Sequence, residues 1–112
     1  MVSMLPPKLE PKAKFYYVIS RKRGLNIFSS GLWDYNDLRL LGSKVGLLMF
    51  GSIDSAKPEC GSKEVILELK IDSPLHPNKN SEGSYFLELD IVKEDVFYSF
   101  EGISVLRVFD SE

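Results

Sequence analysis

The chain alternates short apolar runs with polar breaks, and the pattern predicts strands more often than helices. Residues 15–20 (FYYVIS) are aromatic and β-branched, the composition of a strand, and both faces are apolar, as in a strand covered on two sides. Arg21, Lys22, Arg23 and Gly24 interrupt this run and read as a basic turn. Leu25, Phe28 and Leu32 then recur at spacings of three and four, one face of a short helix. Gly31 is placed to cap that helix in the left-handed conformation. Asp34, Asn36 and Asp37 favour a turn or an N-cap, and Leu38, Leu40 and Leu41 fit either a helical turn or a loop packed on the core.

The second half is more regular. Residues 45–50 (VGLLMF) are a continuous apolar run that predicts a central strand, ended by Gly51 and Ser52. Residues 54–57 predict one helical turn, stopped by Pro58. Over 64–71, Val65, Leu67, Leu69 and Ile71 alternate with Glu64, Ile66, Glu68 and Lys70, which predicts a strand with one apolar and one mostly polar face. Residues 72–84 carry Pro74, Pro77, Asn78, Asn80 and Gly83 and read as a polar loop. Residues 85–92 alternate again, with Glu88 and Asp90 on the solvent side. Residues 96–100 and 103–109 predict two strands joined by a tight hairpin at Glu101-Gly102. Pro6, Pro7 and Pro11 among lysines make residues 1–14 an extended tail or linker. The sum is an α+β domain over residues 15–112. It is mainly β, with about six strands in a curved or split sheet, one short helix and one or two helical turns. The strands do not alternate with long helices, which excludes a doubly wound parallel sheet.

Composition narrows function by exclusion. The 112 residues are 44% hydrophobic, enough for one core, and the length fits one domain. A net charge of −2 argues against a dedicated nucleic-acid binder, leaving only a local basic patch for that purpose. The single cysteine, Cys60, permits no internal disulfide and stands in a turn-like context without a nearby histidine. The single histidine, His76, lies in the polar loop, so neither a metal-ligand spacing nor a Ser-His-Asp arrangement is present. Residues 42–46 (GSKVG) lack the order of a phosphate-binding loop. No apolar run approaches the ~18 residues of a membrane span, and the N-terminus lacks the form of a signal peptide. The expected location is intracellular, cytoplasmic or nuclear. Arg21, Lys22 and Arg23 beside Tyr16 and Tyr17 read either as a solvated turn or as a cradle for phosphate or carboxylate.

The order of elements adds a resemblance. Phe15-Tyr16-Tyr17-Val18-Ile19-Ser20, the helix ending in Gly31-Leu32, the run 45–52, the helical turn 54–57 and Val65-Ile66-Leu67-Glu68-Leu69 follow one another over residues 15–72. This order resembles the first part of the ADP-ribosyltransferase-like fold. The resemblance implies a cleft at the end of the first strand lined by Tyr17, Ser20 and Arg21. Ser20 matches the family's Ser/Thr. Tyr17 stands where the family has a His or Arg that contacts the nicotinamide ribose, and tyrosine does not supply that contact. The family's catalytic glutamate comes late, and Glu88, Glu94 and Glu101 are all candidates with no motif to choose among them. The resemblance therefore implies a degenerate, non-catalytic member that needs no cofactor and serves as a binding scaffold for protein or nucleic acid. An active member would take NAD and use Arg21 or Arg23 with a late glutamate. The rival expectation is an unrelated β-rich interaction module. It would bind a protein through an exposed strand edge or an apolar patch around Trp33 and Tyr35.

Overall fold

The computed structural model describes residues 14–72, 75–91 and 97–110. In chain order these form β1 (Lys14–Ser20), α1 (Arg21–Ser30), β2 (Trp33–Asp34), β3 (Arg39–Leu41), β4 (Lys44–Phe50), α2 (Ile53–Ala56), β5 (Glu64–Ile71), β6 (Asn78–Ser81), β7 (Ser84–Glu88), β8 (Phe97–Tyr98) and β9 (Ile103–Asp110). Single 3-10 turns cover Tyr35–Asp37 and Lys57–Glu59. The main sheet runs β6-β7-β4-β1-β5-β9, with β3 attached to β4, and β2 and β8 form a separate two-stranded sheet. The strand pairs are antiparallel. The class is the expected one, α+β and mainly β.

The core lies between the sheet and α1. Tyr17, Ile19, Leu47, Met49, Val65, Leu67, Leu69 and Leu87 make its inner face, and Ile27 of α1 closes on it. Tyr17, Leu47, Met49 and Leu67 are fully buried. Alternation along β1 and β5 produces this directly: Tyr17 pairs with Leu67 and Ile19 with Val65, so their side chains share one side of the sheet.

Several expectations need correction. The basic run does not interrupt the chain as a turn. Ser20 caps α1, its Oγ accepting from the Arg23 amide at 3.4 Å, and Arg21-Lys22-Arg23 is the first helical turn. Arg and Lys are good helix formers, so a cap one residue earlier suffices to start the helix. Gly31 ends it at φ 76°, as anticipated. The helix, however, buries Gly24 and Ile27, leaving Leu25, Phe28 and Leu32 exposed. Gly24 decides this. A Cβ there would lie 2.5 Å from Val65 Cγ2 and 3.2 Å from Ile19 Cγ2, so its absence lets the helix sit directly on the sheet.

Residues 39–41 are a strand where a helical turn or loop was expected. The polar loop 72–84 contains β6, paired with β7. Regular pairing in 85–92 stops at Glu88, although the Leu89 amide still donates to the Val45 carbonyl at 2.9 Å. The turn at Glu101-Gly102 exists, but its strands do not form a hairpin. β8 pairs with β2 and β9 pairs with β5, because Tyr98 and Phe100 stack on each other and Phe100 meets Trp33 instead. β5 is apolar on one face, but the other is not simply polar, since Ile66 and Glu68 are also buried. Lys14, assigned to the tail, begins β1, while residues 1–13, Val92, Glu94 and Val96 lie outside the described residues.

Candidate functional site

β1 and β4 share one pairing, Tyr16 with Phe50, and then part. β4 turns its other residues on that side to β3, so that Gly46 pairs with Arg39 on one side and Glu88 on the other. The main sheet is therefore split between the second half of β1 and the first half of β4. Asp37 and Arg39 reach across this split to Tyr17 and Val18 of β1.

The segment that carries them is built from local rules. Asp34 caps the 3-10 turn, its Oδ1 accepting from the Asn36 amide at 3.1 Å. Asp37 returns the favour, its Oδ2 accepting from the Asp34 amide at 2.7 Å, a reciprocal capping box. Asp37 is only 3% exposed, and its carboxylate is held in a two-point grip by Arg23 of α1, Nε to Oδ1 at 2.9 Å and Nη2 to Oδ2 at 2.7 Å. A buried carboxylate needs such a partner. The contact with Asp37 in turn raises the pKa of Arg23, which stays charged.

Tyr17 and Arg39 complete the plug. The Tyr17 hydroxyl donates to the Asp37 backbone carbonyl. Arg39 Nη2 donates to the Val18 carbonyl at 3.0 Å, on the side from which β4 has withdrawn, and so replaces a missing ladder partner. The same guanidinium lies 5.1 Å from the Tyr17 ring centroid. Trp33 meets Tyr17 edge to face at 5.9 Å between centroids. Burial pushes the Tyr17 hydroxyl well above the ordinary tyrosine range, Asp37 adds to the effect and Arg39 partly offsets it. The phenol is thus a fixed donor with neither a free lone pair in solvent nor an accessible ionised state at neutral pH. Among the described residues, no buried side-chain nitrogen or oxygen lacks a partner.

The remaining candidates are scattered around this plug. Ser20 is spent on the α1 cap. Arg21 turns away from Tyr17 and grips Asp110 of β9, Nε to Oδ2 at 3.1 Å and Nη2 to Oδ1 at 2.7 Å. Trp33 is 2% exposed and belongs to the core, while Tyr35 is half-buried on the 3-10 turn. Glu88 and Glu101 are exposed on β7 and on the turn before β9, and His76 is exposed. The structure therefore joins Tyr17 with Trp33, and does not join Tyr17 with Ser20 or Arg21. Asp37 stands in the turn that the sequence predicts, whereas its tertiary partners, and Arg39, are what sequence reading missed. The one available signal was the Asp34-x-x-Asp37 spacing of a capping box.

On the outer face of the sheet, Glu68 accepts from the Tyr16 hydroxyl at 3.0 Å and from Arg107 Nε at 3.1 Å. Burial first, and then the Glu68 carboxylate, raise the pKa of Tyr16. Nearby, Ile53, Lys57, Cys60, Ile66, Phe109 and Asp110 line an open concavity of about 560 Å³. Among the described residues there is no group of three or more His, Cys, Asp or Glu side chains able to hold a metal, and no helix long and apolar enough to cross a membrane. No protein family matches the chain, and neither does any curated protein or solved structure.

Proposed function

We propose that this chain is a non-catalytic binding domain of ADP-ribosyltransferase-like architecture that acts as a scaffold for a protein partner. The observation that carries the reading is the bridged split between β1 and β4. β1 lies beside β5, and the sheet divides on the other side of β1. Where an NAD-using member would keep a cleft, Asp37 and Arg39 reach across the split and bind Tyr17 and Val18. Tyr17, at the position of the family's His or Arg, is fully buried and committed to a backbone carbonyl.

Protein is favoured over nucleic acid as the partner because several large apolar side chains are exposed and the chain has no basic excess. Leu25, Phe28, Leu40 and Phe97 are each at least 49% exposed, on a chain of net charge −2.

Thermal unfolding with and without NAD tests the proposal. The expected result is an unchanged melting temperature and no NAD hydrolysis. An NAD-dependent rise in melting temperature that disappears in Tyr17→Phe, which keeps the ring packing and removes only the hydroxyl, would restore the active-transferase reading.

A further inference from the structure

We infer that β9 is the interface of a two-fold symmetric dimer, in which two copies join edge to edge into one continuous sheet and pack their α1 helices against each other. β9 ends the main sheet, so one side of its eight-residue backbone has no strand beside it among the described residues. An edge of that length, unpaired among the described residues and carrying Ile103, Val105, Leu106, Val108 and Phe109, is a template for another strand.

The occupant is identified by α1. Arg23 points to Asp37, on the β3 side of the helix, and Arg21 points to Asp110, on the β9 side. Leu25 and Phe28 follow Arg21 at intervals of four and three within the helix, so they lie on the β9 side as well. Leu25 and Phe28 are both 49% exposed, and Leu106 on β9 is 39% exposed. The apolar stripe of the helix thus overhangs the open edge instead of the core. An isolated peptide strand would pair with β9 and leave most of this stripe wet. A second copy supplies both a strand and a matching stripe. Strands lie about 4.8 Å apart and helices pack at about 8–10 Å, so helices set just inside two paired edges come within packing distance.

The strand is self-complementary. Antiparallel pairing with all eight residues overlapped sets Ile103 against Asp110, Ser104 against Phe109, Val105 against Val108 and Leu106 against Arg107, with no like charges opposed. The ladder with β5 places Ile103, Val105, Val108 and Asp110 on the α1 face and Ser104, Arg107 and Phe109 on the other. Regular pairs therefore match face to face. The irregularity opposite Glu68/Leu69, which leaves Leu106 unpaired with β5, falls at the symmetry axis. The two regular segments, 103–105 and 108–110, pair with each other across it.

Sedimentation equilibrium of the full chain, with Phe28→Glu, Leu106→Lys and Leu40→Glu, tests this. Each replaced side chain is exposed, so circular dichroism and melting temperature should show all three variants folded. The expected result is a dimer at micromolar concentration, with Phe28→Glu and Leu106→Lys weakening it at least tenfold. Leu40→Glu, on the far side of the sheet, should leave it unchanged. A chain that stays monomeric to its solubility limit overturns the inference and leaves the edge to a strand from another protein. A dimer that survives both β9-side variants overturns it too. Neither outcome bears on the NAD experiment, which reads the split beside β1.

Discussion

Asp37 shows how one side chain converts a gap in the sheet into a fixed joint. Its carboxylate closes the 3-10 turn through the Asp34 amide and ties that turn to α1 through Arg23, and its carbonyl receives Tyr17. Asp37→Ala leaves Arg23 and the Asp34 amide without their acceptor. Urea unfolding should show a loss of about 2–3 kcal/mol. The lower part of the range for such pairs applies because the Arg23 side chain is 27% exposed and recovers some hydration. Tyr17 adds a pH dependence. Its pKa is raised in the folded state, so its contribution is present below the unfolded pKa of about 10 and is lost as pH rises further, when only the unfolded chain ionises. The expected slope is about 1.4 kcal/mol per pH unit for this group. Stability measured across the alkaline range should fall more steeply for the wild type than for Tyr17→Phe, so that the two curves converge.

At the scale of elements, strand pairing explains what the chain pattern could and could not reveal. β4 and β5 were legible because each is bounded by turn-forming residues and filled with apolar ones, and β5 matches its predicted bounds, Glu64–Ile71. α1 was legible as a helix with a glycine cap, but its buried side was not. Periodicity locates an apolar stripe without saying what covers it, and here Gly24 and Ile27, not the leucine stripe, meet the sheet. The hairpin at Glu101-Gly102 misled because the local turn is real while its strands answer to distant partners, Trp33 for one and β5 for the other. The plug was the least legible part. The capping box of Asp34 and Asp37 is a local signal, but Arg23 and Val18 become its neighbours only after β1 and β4 have parted, a tertiary event. Gly46 marks the tightest point of this arrangement. A Cβ there would collide with the backbone carbonyl of Leu87, and backbone cannot move aside as a side chain can. Gly46→Ala should destabilise the fold by about 3 kcal/mol and loosen β4 from β7. Chemical unfolding with amide exchange of the β4–β7 ladder measures both effects.

For the whole molecule, the two ends of the main sheet are unlike. At one end β6, Asn78-Lys79-Asn80-Ser81, is four residues long and wholly exposed, without an apolar side chain. At the other end stands the eight-residue, largely apolar β9. A short polar edge bearing a lysine discourages strand addition, and a long apolar edge invites it. Growth of the sheet is therefore self-terminating. Once two copies pair their β9 edges, both ends of the joined β6-to-β9 strand order are β6, a polar edge that discourages further strand addition. Association through a single self-matching surface closes, whereas head-to-tail association would propagate into fibres. Average mass should accordingly level off at twice that of one chain as concentration rises. The polar stretch that reads as an unremarkable loop would then act as the stop signal of the assembly.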